Sequence, residues 1–331
     1  MVVCAVLLML ACSTPDVALV PEPAFRQDAV LLVWMPYDND LSDAVGPVLA
    51  GLQEGSTGGI EVAVQVDRPN QPGMERVSFV EGVGQTGFVE SDDSGSGDAL
   101  ADFLDWAATR YEARRYGLVV LDHGGDLMSV ARDDSTGNWL SMQDIASALM
   151  AFDEGEAGEV ELLFLQVCGK ASVEPLQVVA PAANFTLASQ LPLLAPNTWY
   201  ASGLKAIAQH PEWDGADWAN AIASAEGPGM YWAMTCVDNA ALMSWEGPDL
   251  RVPESALLGE LATATWPYAG EIYVDLDAVA GAGTAAPLLC GHHVNTTPPY
   301  ALEGFPETRL LSGLSVAAGG ALTVEPDPTD P

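Results

Sequence analysis

The sequence predicts an α/β protein with a mostly parallel central sheet and helices on both faces, on three observations. Apolar runs of strand length alternate with stretches of helical period through the first half of the chain. Two runs, LVVLDHGGDL (118–127) and LLFLQVCGKASVE (162–174), end on one reactive residue, His123 or Cys168, followed directly by glycine. Successive runs are separated by helices, and strand–helix–strand units cross over right-handed, which makes their strands parallel.

Residues 29–36 (AVLLVWMP) read as a central strand because the apolar run is unbroken. The acidic turn YDNDLSD follows and suits a cap for a helix that carries Val45, Val48, Leu49 and Leu52 at helical spacing. GIEVAVQVDRP (59–69) is the next strand and stops at Pro69, completing a βαβ unit. Residues 91–117 open on capping residues and continue as an amphipathic helix through Leu100, Phe103, Leu104, Trp106 and Ala107 into the His123 strand. Beyond it a turn-rich section leads to a helix with Ser141 at the N-cap and Asp144 three positions on. The loop DEGEAGE (153–159) then feeds the Cys168 strand. Later strand candidates are TWYAS (198–202), GEIYVDL (270–276) and LSGLSVAA (311–318), with an apolar helix near 252–266.

A chain of 331 residues, 49% of them hydrophobic, fills a sizeable core without difficulty. Its 46 acidic residues against 11 basic ones give a formal charge of −35, which repels phosphate backbones and excludes nucleic acid as a partner. The first twelve residues, MVVCAVLLMLAC, are too short to span a bilayer but suit a signal peptide, and MLAC at 9–12 resembles a bacterial lipobox with Cys12 as the lipidated residue. Residues 13–27 then form a flexible tether, 28–320 the folded domain and 321–331 a disordered acidic tail. Export to the cell envelope, or secretion, is therefore expected of a bacterial protein.

Apart from Cys4 and Cys12, the cysteines are Cys168, Cys236 and Cys290, with no CxxC pair to suggest a zinc or redox site. Cys236 and Cys290 read first as small buried apolar residues, with pairing in an oxidising compartment as the alternative. A lone cysteine or histidine at a strand end is more often structural than catalytic. The conjunction shifts that reading: two adjacent parallel strands would bring thiol and imidazole together at the sheet's carboxyl edge, as nucleophile and base. Lys170, one of two lysines, lies two residues beyond the sulfur, either solvated at a helix start or placed to activate it. No residue is assigned as a metal ligand: DNDLSD fails the EF-hand pattern and reads as helix capping, and His292 and His293 lack a partner motif.

DHGG and CGKASVE resemble the HG and C…E motifs of the clostripain-like cysteine peptidases. VLLVWMPYDNDLSD (30–43), VAVQVDRP (62–69), residues 96–125 and RDDSTGNWLSMQDIASAL (132–149) are similar to the family's strand, acidic turn, helix and linker, and weaker echoes continue to 318. The resemblance implies a caspase-like three-layer sandwich and a cysteine endopeptidase. By position it makes His123 the general base and acid and Cys168 the nucleophile, with the backbone N–H groups of Gly124 and Cys168 as the oxyanion hole. Asp122 stays outside the set, because its side chain leaves the strand on the opposite face from that of His123.

The family pattern DxC places an aspartate in the substrate pocket, whereas this chain has Gln166 there, which weakens the implied cleavage after Arg or Lys at P1. Self-cleavage between the His and Cys strands, common in the family, has a single basic site here, Arg132. Calcium accompanies activity in some relatives, and no cofactor is required for the chemistry itself. The expectation is a monomeric exported peptidase acting on peptides or proteins, touching membrane only through a lipid anchor. The alternative is a catalytically silent surface lipoprotein of the same fold that binds peptides or protein partners.

Overall fold

Every residue from Val30 to Met35 is buried, because even and odd positions of this strand face two different helical layers. Val30, Leu32 and Trp34 pack with Leu100, Phe103, Ile145 and Leu176 on one face, and Leu31, Val33 and Met35 pack with Val48, Leu204, Trp218 and Ile222 on the other. This three-layer arrangement is seen in a computed structural model that describes residues 27–154, 159–247, 256, 259, 261–295 and 302–318. The leader with Cys12, most of the tether and the tail lie outside the described residues.

In chain order the elements are β1 (Gln27–Pro36), α1 (Val45–Ser56), β2 (Glu61–Asp67), β3 (Met74–Val80), β4 (Val83–Val89), α2 (Gly97–Arg110), β5 (Ala113–Leu121), β6 (Ser129–Arg132), β7 (Trp139–Ser141), α3 (Met142–Glu154) and β8 (Glu159–Gln166). They continue with α4 (Val173–Val179), β9 (Phe185–Ala188), α5 (Tyr200–Gln209), α6 (Gly215–Ala225), β10 (Ala233–Asp238), α7 (Asn239–Met243), β11 (Thr265–Tyr268), β12 (Glu271–Asp275), α8 (Leu276–Ala280), β13 (Leu289–Val294) and β14 (Ser315–Ala317). The main sheet runs β13-β10-β9-β8-β5-β1-β2-β3-β4. Its central strands β2, β1, β5, β8 and β9 are parallel, and only β10 and β3 run against the common direction. Helices α2, α3 and α4 cover one face; α1, α5 and α6 cover the other.

The expected strands at 29–36, 59–69 and before His123 and Cys168 form as β1, β2, β5 and β8, and Ser141 caps α3 by accepting from the Asp144 N–H at 3.1 Å. TWYAS is not a strand. Tyr200, Gly203, Leu204 and Ile207 recur at helical spacing and are buried, so α5 begins at Tyr200 once the window is long enough to see past the aromatic pair. Of LSGLSVAA only Ser315–Ala317 is strand, pairing with β12 in a small β11-β12-β14 sheet. Residues 252–255, 257, 258 and 260 of the expected apolar helix lie outside the described residues, and at its other end Thr265–Tyr268 is strand β11. The β3–β4 hairpin and β9, β10 and β13 are additions to the expected sheet.

Cys236 and Cys290 are joined as a disulfide rather than packed as free apolar residues. Antiparallel β10 and β13 set Cys236 against Gly291, with a bulge just after Cys236, and the two cysteine Cα atoms are 5.2 Å apart. The bridge closes a separation of 54 residues. Loop-closure entropy predicts that Cys236→Ala with Cys290→Ala lowers unfolding free energy by about 4 kcal/mol, measurable by denaturant titration. Among the described residues no helix is long and apolar enough to cross a membrane.

Candidate active site

Strands β5 and β8 are neighbours, and their register sets Leu121 opposite Gln166, so the chains leave the sheet side by side toward His123 and Cys168. The glycine after each reactive residue is required by close approach. A Cβ at Gly124 would lie 2.1 Å from the Cys168 carbonyl oxygen, and one at Gly169, where φ is +69°, would meet the Tyr268 ring at 2.8 Å. Tyr268 thus lies over the Cys168 turn, and its hydroxyl donates to the Gly124 carbonyl at 2.8 Å. Among the described residues the N–H groups of Gly124 and Cys168 donate to no acceptor.

His123 has a partner that the sequence did not single out. Asp40, in the acidic turn after β1, places Oδ1 2.7 Å from Nε2 of His123. The turn's acids therefore do not cap a helix: no side chain caps α1, and the Asn39 carboxamide bonds the Leu41 N–H and the Asp122 carboxylate instead. Strand order could have signalled this contact, since β1 lies beside β5 and both end at the same sheet edge. Among the described residues Asp122, just past the end of β5, makes no hydrogen bond to the His123 ring. It is buried, accepts from Asn39 at 2.8 Å and from the Arg132 N–H, and burial holds its carboxyl well above the usual range. With Asp40 on Nε2, Nδ1 of His123 has no hydrogen-bond partner among the described residues. Asp40→Ala is expected to lower kcat about tenfold with little change in KM, because it loosens the imidazole without touching substrate. Steady-state kinetics with Asp40→Asn, which keeps a hydrogen-bond acceptor and recovers part of the rate, checks this.

Cys168 is half-buried, and its Sγ accepts from the Leu193 N–H at 3.3 Å. Burial pushes its thiol up, while the Leu193 hydrogen bond, Tyr268 and the Lys170 ammonium pull it back. Lys170 is not solvated. Fully buried, it donates from Nζ to the carbonyls of Gly125 and Asp126, in the loop that follows His123. Burial carries it down to about 8. It thus clamps the His123 loop to the Cys168 loop with a positive charge.

Gln166 is buried and its amide is fully engaged: Nε2 donates to Asn197 Oδ1 at 2.5 Å and to the Tyr200 hydroxyl at 2.8 Å, and Oε1 accepts from Trp199 at 2.8 Å. Behind it Asn197 donates to Glu226, whose carboxylate is also held by Thr198 and the Gly227 N–H. The Asp126 carboxylate is taken up by the Met128 N–H and the Ser129 hydroxyl. Arg132 ends β6. Its N–H donates to Asp122, its carbonyl accepts from Asn39, its guanidinium meets Asp134 at 2.8 Å, and the next residue, Asp133, is fully buried. His292 and His293 point to opposite faces of β13, toward Thr235 and Asn220, and form no common ligand set.

The sequence model of the clostripain family matches residues 33–228, more than half of the chain. Among solved structures, a secreted C11 cysteine protease from Bacteroides thetaiotaomicron in complex with an irreversible peptide inhibitor is 16% identical, with a TM-score of 0.65 over 88% of this chain and 92% of that one. An inactive zymogen C11 protease from Parabacteroides distasonis is also 16% identical, at a TM-score of 0.66 over 89% and 93%. The secreted C11 protease iotapain, again from Bacteroides thetaiotaomicron, is 10% identical at 0.62 over 89% and 94%. No curated protein sequence matches the chain.

Proposed function

Because the chain belongs to the clostripain family, and so is a cysteine-type peptidase acting on peptides or proteins, we propose that Cys168 is its nucleophile and His123 its general base and acid. One observation carries this reading: neighbouring parallel strands release His123 and Cys168 at the same edge, with Gly124 packed on the Cys168 backbone. In the proposed reaction His123 takes the Sγ proton, and the thiolate attacks the scissile carbonyl. The oxyanion is received by the N–H groups of Gly124 and Cys168. Protonated His123 then gives its proton to the leaving amine, and water hydrolyses the thioester with His123 as base. The steps use no cofactor.

We propose Arg or Lys at P1, held less strongly than in a pocket floored by a carboxylate, because the neutral Gln166 amide stands there and already serves three neighbours. Export, with Cys12 as lipid anchor or with simple secretion, is supported by the Cys236–Cys290 bridge, since such bonds persist in oxidising compartments. A strongly acidic monomer that avoids nucleic acid fits the same setting. Labelling with peptide acyloxymethyl ketones that vary at P1 tests the reading: labelling that needs Cys168 and prefers a basic P1 supports it.

Self-processing that keeps the basic preference falls after Arg132. Arg132, on one side of that bond, is tied to Asn39 and Asp122, and the Asp133 N–H on the other side donates to the Asn138 carbonyl, so cutting requires residues 129–135 to open first. Mass spectrometry of purified protein is expected to show the cut chain only after long incubation, and never in Cys168→Ala. An uncut chain with full activity would exclude processing as a requirement.

A further inference from the structure

The small β11-β12-β14 sheet reaches both halves of the proposed dyad, and its strands lie outside the stretch matched by the family model, residues 33–228. Strand β14 is tied to the segment that follows Cys168. The Ser315 N–H donates to the Ala171 carbonyl at 3.0 Å, the Ser172 and Ser315 hydroxyls meet at 2.8 Å, and the Ala317 N–H donates to Glu174 at 2.8 Å. Strands β11 and β12 form a hairpin in which Tyr268 pairs with Glu271 across a two-residue turn, Ala269 and Gly270, at φ of +48° and +82°. The turn is exposed, but Tyr268 beside it is half-buried, with its ring against Gly169 and its hydroxyl on the Gly124 carbonyl. Buried Trp266 and Tyr273 stack on each other and seat the hairpin, with Tyr273 next to the Tyr268 ring.

We propose that Tyr268 is a positioning residue for the dyad, a brace by which the small sheet holds the Gly124 loop at a set distance from the Cys168 turn. The proposal rests on the reading of Cys168 as nucleophile and His123 as base. Gly124 follows His123 directly, so a hydrogen bond to its carbonyl restrains the backbone that carries the imidazole. The ring meanwhile fills the space that a side chain at position 169 would need, and it keeps the Cys168–Gly169 turn from lifting. Lys170 joins the same two loops through the Gly125 and Asp126 carbonyls, so Tyr268 adds a second, uncharged tie. Its hydroxyl also lowers the Cys168 thiol by hydrogen bonding. The hydroxyl has one proton to give. Gly124 holds it while the thiol is neutral, and the thiolate is the stronger acceptor, so the proton swings toward sulfur as His123 takes the thiol proton.

Tyr268→Phe in the full-length protein removes the hydroxyl and keeps the ring. Expected are a kcat about tenfold lower, a KM within about twofold of wild type and a nearly unchanged Tm. The pH midpoint for iodoacetamide alkylation of Cys168, followed by peptide mass, should rise by about one unit, because the thiolate loses a donor. Lys170 lowers the thiol, Asp122 raises it and Glu271 acts on Lys170; these groups, His123 and Tyr273 are the same in both proteins, so the shift reads the hydroxyl. Tyr268→Ala removes the ring as well and should lower kcat by about 10²-fold. Wild-type kcat with a wild-type midpoint in Tyr268→Phe overturns the proposal. So does a lower kcat that comes with a lower Tm and an unshifted midpoint, which assigns Tyr268 to packing alone. Alkylation needs no turnover, so a raised midpoint alongside a wild type that cleaves no peptide supports the Tyr268 contact and rejects the peptidase role of Cys168 instead.

Discussion

Cys168→Ala is expected to lower kcat by on the order of 10⁴-fold or more, leaving the fold and Tm nearly unchanged. The nucleophile makes little of the packing energy: it is half-buried at a loop, and its sulfur is bonded to the Leu193 backbone. His123→Ala should cost about 10³-fold, the range of general acid–base catalysis, because the thiol is already pushed up by burial and cannot ionise readily unaided. The double variant should be no slower than Cys168→Ala alone, since two groups acting on one proton transfer are not additive. A double variant slower by the product of both effects would mean that the residues act separately.

Lys170→Met comes next in expected effect. The substitution keeps the stem and removes the ammonium, so the Gly125 and Asp126 carbonyls lose their buried donor and the His123 loop loses its tie to the Cys168 loop. A displacement of that loop by about an ångström would lower kcat/KM by about 10²-fold. The thiol also loses a nearby positive charge, so the pH midpoint of Cys168 alkylation moves upward. Stability follows a different course. Burial carries the folded-state value down from 10.5 to about 8, so the unfolded chain binds the proton more tightly across that interval. The cost of holding the charged form, on the order of 3 kcal/mol, is fully present below pH 8 and is relieved as pH rises toward 10.5. Near pH 7 that cost offsets the hydrogen bonds, leaving the variant close to wild type, and wild type gains on it above pH 8. Denaturant titrations at pH 7 and 10 measure the difference, and a variant with wild-type kcat/KM would remove Lys170 from the site.

The legible parts of the chain were those whose information is local. β1, β5 and β8 announced themselves because a strand buried on both faces is apolar at every position, and the His–Gly and Cys–Gly endings mark where these strands stop. α5 was misread because the aromatic pair Trp199–Tyr200 suits a strand as well as a helix until Leu204 and Ile207 extend the period. Asp40 stood in view inside the acidic turn, but its contact with His123 spans 83 positions and depends on β1 lying beside β5. The same holds for Tyr268, which no local spacing could place over the Cys168 turn. At Gln166 the departure was visible as a missing charge; its engagement by Asn197, Trp199 and Tyr200 needed the packing of α5 against the sheet.

Covalent labelling read by peptide mass tests the central claim most directly. Wild-type protein treated with a peptide acyloxymethyl ketone bearing Arg at P1 should gain one adduct, mapped to Cys168, at a rate that drops sharply in His123→Ala and to zero in Cys168→Ala. Wild-type protein left unmodified by every P1 side chain, or an adduct on any residue other than Cys168, would contradict the assignment.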